Sequence, residues 1–152
     1  VGGLLGMSVK MIDVSGKDVV HREAKARGCI KLRRETVEKI KTGSVEKGDV
    51  FTASKLAAIM AAKKTPEILP LCHPITIDYV DVQFSFESED VICAEVTVKS
   101  RDRTGVEMEA LLAVSIALLN IWDMVKKYEK DEAGQYPFTE IFGIRVSSKI
   151  KG

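Results

Sequence analysis

Apolar and polar positions alternate along several stretches of this chain and recur at helical spacing along others. Gly28-Cys29-Ile30-Lys31-Leu32 alternates and predicts a short strand. Glu35 to Lys41, with Val37 and Ile40 three apart and Gly43 beyond, predicts a short helix. Lys47-Gly48-Asp49 is a polar turn whose Asp49 can cap a second helix from Val50 to about Lys63, with small residues at Ala53, Ala57, Ala58, Ala61 and Ala62. Pro66, Pro70 and Pro74 then fix an extended connection. Ile75, Ile77 and Tyr79 alternate, and the phase slips to Val80, Val82, Phe84 and Phe86, which predicts one long strand bulged near Tyr79-Val80. Glu87 to Asp90 is a hairpin turn into a partner strand, Val91 to Lys99.

After the polar loop Ser100 to Gly105, a long helix is predicted from Glu107 to about Lys130, and Thr139 to Ile150 alternates as a last strand. Setting the short extra helix aside, the order is strand–helix–strand–strand–helix–strand. That order predicts an α+β, ferredoxin-like split βαβ plait: an antiparallel sheet with two main helices on one face. No repeat or linker interrupts it, so residues 11–152 are read as a single domain. Residues 1–10 are read as a flexible N-terminal extension, with Met7 as a plausible start.

Composition narrows the function classes. With 45% hydrophobic and 30% charged residues the 152-residue chain is an ordinary globular domain. The formal charge of +1 lacks the basic excess of a nucleic-acid binder, and the plait offers Phe84 and Phe86 on one strand as its aromatic platform. Ala110 to Trp122, the longest uncharged run, falls short of the ~20 residues of a membrane span and reads as a core helix. Val1 to Met7 has no basic segment and no long apolar run, so it is not read as a signal peptide. Cys29, Cys72 and Cys93 are odd in number and far apart, which argues against a disulfide framework and for a reducing, cytoplasmic setting. Gln83, Gln135 and Asn120 are the sole side-chain amides, a depletion found in thermophilic proteins.

Four groups of residues could carry chemistry. Asp123 closes the apolar stretch of the long helix, with Lys126 and Lys127 within reach on the next turn. It either ends the buried stretch in a surface ion pair or forms a carboxylate–ammonium pair for proton transfer. Cys72-His73 sits between two prolines that hold the imidazole in a fixed direction. Neighbouring side chains on an extended chain point apart, so the pair does not suit nucleophilic catalysis, and with two histidines in the chain a zinc site lacks ligands. Glu107 and Glu109 open the long helix, where acids suit the dipole; Glu107 could also accept two parallel N–H donors from a guanine-type edge. Last, Lys47, Lys63, Lys64, Lys126, Lys127, Lys130, Lys149 and Lys151 fall near helix ends and the sheet rim, where ammonium groups suit a polyphosphate. No GxxxxGK[ST] or GxGxxG loop is present, so side chains would hold any phosphate.

Met11-Ile12-Asp13-Val14-Ser15, Lys47-Gly48-Asp49-Val50-Phe51, Ala61-Ala62-Lys63-Lys64-Thr65, Pro70-Leu71-Cys72-His73-Pro74, Thr104-Gly105-Val106-Glu107-Met108-Glu109-Ala110 and Asp123-Met124-Val125-Lys126 occur in that order. Together they resemble the molybdenum cofactor biosynthesis protein C family, the cyclic pyranopterin monophosphate synthases, from Met11 to about Lys151. The resemblance implies conversion of 3′,8-cyclo-7,8-dihydroguanosine 5′-triphosphate to cyclic pyranopterin monophosphate with release of diphosphate, a phosphorus–oxygen lyase reaction with no redox step.

By motif, the resemblance makes Asp123 the catalytic acid/base, with Lys47 and Lys126 as catalytic lysines. It makes Leu71, Cys72, His73, Glu107, Met108, Lys63 and Lys149 substrate-binding. It implies no resident cofactor or metal, with a divalent cation on the triphosphate left open. It also implies a homohexamer built as a trimer of dimers, without nucleic-acid or membrane partners, whose sites lie at subunit interfaces, so that Lys47, His73 and Asp123 need not converge within one chain. Two rival readings of the same plait are an RNA-binding module and a small-molecule-sensing module.

Overall fold

The structure, a computed structural model, describes residues 7–152. In order it contains β1 (Val20–Lys31), α1 (Arg34–Thr42), α2 (Val50–Lys63), a single turn α3 (Thr65–Ile68), β2 (Ile77–Ser88), β3 (Val91–Asp102), α4 (Glu107–Glu129) and β4 (Glu140–Lys151). The sheet order is β2-β3-β1-β4, and every neighbouring pair is antiparallel. This is the split βαβ plait, with α2 and α4 packed together on one face. The expected N-terminal extension lies partly outside the described residues; from Met7 to Asp13 the chain forms no helix or strand.

β1 is twelve residues long, where the periodicity predicts only its end. From His21 to Arg27 the buried positions are Arg22, Ala24 and Ala26, so the inward face carries one long polar side chain and two methyl groups and its hydrophobic signal is faint. Small residues are what this face requires, because α4 crosses directly above it. A Cβ on Gly28 would lie 2.8 Å from Leu118 Cδ1 and 2.9 Å from Ile144 Cγ1. Ala110, Ala113 and Ala117 of α4 are likewise completely buried, so helix and sheet approach closely.

The bulge in β2 falls between Ile77 and Tyr79, one step before the expected place, and a second register shift separates Phe86 from Ser88. Asp49 caps α2 as expected, its carboxylate accepting the Thr52 N–H at 3.0 Å. Pro66 does not extend the chain; it sits at the start of the α3 turn, where a missing N–H costs nothing.

Cys29 and Cys93 are joined by a disulfide. This corrects the expectation from their odd number and wide spacing. The two lie 64 residues apart in sequence, yet they are directly opposed in the β1–β3 register, with Cα atoms 4.0 Å apart. Cys72 is the free cysteine. Disulfides also occur in intracellular proteins of hyperthermophiles, so the bridge does not assign a compartment.

Candidate functional site

The ten candidate residues separate into two groups near opposite ends of α4. At its C-terminal end, Lys47 Nζ donates to the Asp123 carboxylate Oδ2 and to the Asp123 backbone carbonyl, both at 3.2 Å. Lys126 Nζ donates to Asp123 Oδ1 at 3.1 Å. Each carboxylate oxygen therefore meets one ammonium group. Hydrogen bonds from Lys126 and then Lys47 hold the Asp123 carboxyl below the ordinary carboxylate range, so it is an anion at neutral pH. All three side chains are about half exposed, and Ile116, Leu119 and Asn120 border the hollow beside them. Lys47 and Asp123 thus do converge within one chain.

The remaining seven candidates belong to the other end. His73 Nε2 lies 2.6 Å from the Ile12 carbonyl. A carbonyl only accepts, so Nε2 carries the proton in this contact. The segment bearing Leu71, Cys72 and His73 is tied to the end of β3. The Thr76 N–H donates to Asp102 Oδ2 at 3.1 Å, and Ser100 Oγ donates to the Thr76 carbonyl at 2.7 Å. Cys72 Sγ lies 3.9 Å from Glu109 Oε2 in the first turn of α4. Lys149 Nζ donates to Glu107 Oε2 at 3.3 Å. Gly105 leaves room for the Glu107 carboxylate, which a Cβ at that position would overlap. Lys63 ends α2, which runs antiparallel to α4 past the Asn120–Ser54 hydrogen bond, so its ammonium belongs to this end also. Met108 and Leu71 are both exposed here.

Four further features stand at these two ends, one of them Glu109, which the sequence alone assigns to the helix dipole. Glu109 is 1% exposed, and its Oε1 has no hydrogen-bond partner among the described residues. Burial above all, with Glu107 and Asp102 adding repulsion, raises its carboxyl above the ordinary range. Asp13 folds its carboxylate onto the Ser15 N–H at 2.9 Å beside His73, and hydrogen bonds from Ser15 lower its titration. Arg103 borders the hollow formed by Met11 to Ser15 and His73. Tyr128 touches the loop of Lys47. The Glu109 signal was present in the sequence as a second acid in an apolar helix; the others depend on loop paths that periodicity does not give. Burial, with Glu109 adding to it, also pushes the Cys72 thiol up, so it is a poor nucleophile at neutral pH.

The family model for the MoaC family matches residues 11–152. The chain belongs to the MoaC family. A relative from Sulfurisphaera tokodaii is 62% identical over 142 residues, 93% of each chain. One from Sulfolobus acidocaldarius is 61% identical over 141 residues, covering 93% of this chain and 98% of its own. A third, from Thermococcus kodakarensis, is 57% identical over 144 residues, 95% of this chain and 92% of its own. All three carry the name "Probable cyclic pyranopterin monophosphate synthase". The family agrees with the resemblance drawn from the motifs, and neither rival module is favoured.

Within this MoaC family chain, α4 has the length and apolar composition of a membrane span. It is the core helix of the plait, with Ala113, Val114, Ala117, Leu118 and Ile121 fully buried. Among the described residues no three His, Cys, Asp or Glu side chains are placed to hold a metal ion together.

Proposed function

We propose that this protein is a cyclic pyranopterin monophosphate synthase acting in molybdenum cofactor biosynthesis. It takes 3′,8-cyclo-7,8-dihydroguanosine 5′-triphosphate, rebuilds the imidazole-derived ring as a pyrazine ring, and closes a cyclic phosphate. In that closure a ribose-derived hydroxyl oxygen bonds to the α-phosphorus, the α–β anhydride bond breaks, and diphosphate leaves, a lyase reaction. The observation that carries this reading is the meeting of Lys47, Asp123 and Lys126 at one point on the surface. An anionic carboxylate between two ammonium groups accepts a proton from the substrate, and the lysines return protons and offset charge developing on phosphate oxygens.

Leu71, Cys72, His73, Glu107, Met108, Lys63 and Lys149 bind substrate in this reading. Glu107 accepts the paired N–H donors of the guanine edge, and the lysines take the triphosphate. Lys149 exchanges its present partner, Glu107, for phosphate. No resident cofactor is required by these steps.

The two groups lie near opposite ends of α4, which supports an active site shared between two chains. The outward face of α4 between them carries Leu112, Ile116 and Leu119, flanked by exposed Leu56 and Met60 of α2. A two-fold axis near Ser115 and Ile116 would lay two α4 helices antiparallel and bring Asp123 of one chain beside Met108 of the other. The small residues Ala58, Ala61 and Ala62 are buried against the chain's own core, so the interface uses the opposite side of α2. Three such dimers make the homohexamer. A nucleotide-derived substrate suits a cytoplasmic enzyme without nucleic-acid partners, which is the setting proposed here.

The test is diphosphate release by the purified protein from the cyclic dihydro-GTP substrate. Turnover with formation of the pyranopterin product supports the assignment. Stoichiometric binding without turnover contradicts it and favours a sensing module.

A further inference from the structure

The loop between α1 and α2 that carries Lys47 is fastened to the last turn of α4. The hydroxyl of Tyr128 accepts the backbone N–H of Glu46 at 2.9 Å, one residue before Lys47. The Tyr128 ring is half-buried against the core, with Lys39 Nζ 5.1 Å and Lys127 Nζ 5.6 Å from its centre. Lys127, its neighbour on the helix, pairs with the Glu46 carboxylate. Beyond Lys47 the chain turns through Gly48, at φ 113°, whose N–H donates to the Val45 carbonyl at 3.0 Å.

A lysine ammonium rides on a flexible four-carbon stem, so its mean position depends on how well its own backbone is held. Here the ammonium of Lys47 must meet two acceptors of Asp123 at once. Both acceptors belong to α4, the same helix that bears Tyr128. A hydrogen bond from Tyr128 to the adjoining residue therefore places the Lys47 backbone in the frame of Asp123 itself. The Lys127–Glu46 pair is more than half exposed on both sides and contributes little by comparison. The Tyr128 bond is directional, and its acceptor oxygen sits on a rigid ring with packing behind it.

We propose that Tyr128 is a positioning residue that holds Lys47 against Asp123. It touches neither the substrate nor the reacting atoms, and its bearing on turnover rests on Lys47 and Asp123 being the proton-handling pair. It acts by keeping the loop in the one arrangement in which the Lys47 ammonium bridges the Asp123 carboxylate and carbonyl.

Tyr128→Phe keeps the ring, its packing and the two cations over its face, and removes only the hydroxyl. Two readouts on the intact assembly test it. In steady-state turnover, kcat falls about twofold to tenfold, the worth of one net hydrogen bond, while KM stays within about twofold. The melting temperature moves by no more than about 4 °C. Without substrate, reductive methylation with labelled formaldehyde, read by peptide mass spectrometry, modifies Lys47 severalfold faster in Tyr128→Phe than in wild type, and Lys63 equally in both.

Unchanged kcat together with an unchanged Lys47 methylation rate overturns the proposal, as does a loss of kcat that follows only from unfolding. A folded wild type that releases no diphosphate contradicts the proposed function. In that case the methylation comparison still decides the link between Tyr128 and Lys47: faster modification supports it, and equal rates overturn it.

Discussion

Met108 and Asp123 stand near opposite ends of the outward side of α4, about 22 Å apart at the helical rise of 1.5 Å per residue. Every candidate for proton transfer belongs to the Asp123 end, and every candidate for binding belongs to the Met108 end. In the proposed function each chain carries two half-sites, which a two-fold pairing would complete.

That division predicts a pattern of complementation. Mixed assemblies of Asp123→Asn and His73→Ala chains recover roughly a quarter of wild-type turnover, since half of randomly formed dimers are mixed and one of their two sites is intact. Lys47→Ala mixed with Asp123→Asn recovers none, because both residues belong to the same half. The check is turnover after unfolding and refolding the chains together. Recovery by the second pair, or failure of the first to recover, contradicts the division.

The disulfide predicts a measurable staple. Cys29 and Cys93 close a long loop across two central strands. By the chain-entropy account, removing such a bridge costs about 4 kcal/mol. Denaturant unfolding with and without reductant, and of a Cys29→Ala/Cys93→Ala variant, measures it. Equal midpoints for oxidised and reduced protein contradict the bridge's contribution.

How much of this was legible in the sequence follows from how strongly each residue writes its role. The β2–β3 hairpin, the Asp49 cap and the apolar length of α4 were readable because period, turn chemistry and capping agree there. The first half of β1 was not, since Ala24 and Ala26 satisfy a close approach with very little hydrophobic signal. The Cys29–Cys93 pair was hidden because opposition depends on register between strands far apart in sequence. At the site, motifs marked Lys47, His73 and Asp123, but not which of them meet. That Lys47 joins Asp123 while His73 belongs to the other end depends on the loop paths and on the length of α4.

Glu109 predicts a pH dependence of stability. Its carboxyl titrates above its usual value of 4.5 in the folded protein, so the folded state holds the proton more tightly than the unfolded chain. The stability this contributes is full below pH 4.5 and is lost as pH rises through the folded titration. Glu109→Gln, a neutral isostere, removes that loss. The melting temperature of Glu109→Gln relative to wild type therefore rises with pH from about pH 4.5 upward. A constant difference across pH 4 to 8 contradicts a raised carboxyl.

Cys72 is predicted to be inert as a nucleophile. Its thiol titrates above the ordinary value of 9.0, so little thiolate exists at neutral pH. Iodoacetamide at pH 7 should modify it more slowly than a free cysteine, and Cys72→Ser should retain turnover. Undetectable turnover of Cys72→Ser with normal assembly and substrate affinity contradicts this.

The central claim is that Asp123 moves protons. If it merely ends α4 in an exposed ion pair, Asp123→Asn changes stability by about 0–1 kcal/mol and leaves turnover alone. If it is the acid/base group, the amide keeps the shape and loses the basic oxygen, and turnover falls by about 10²–10⁴-fold. Substrate affinity changes far less, because in the proposed site other lysines hold the triphosphate. The measurement is diphosphate release from the cyclic dihydro-GTP substrate by purified Asp123→Asn, with its oligomer mass and melting temperature alongside. A fall of at least 10²-fold in an intact hexamer is the predicted result; near wild-type release from that hexamer contradicts the account.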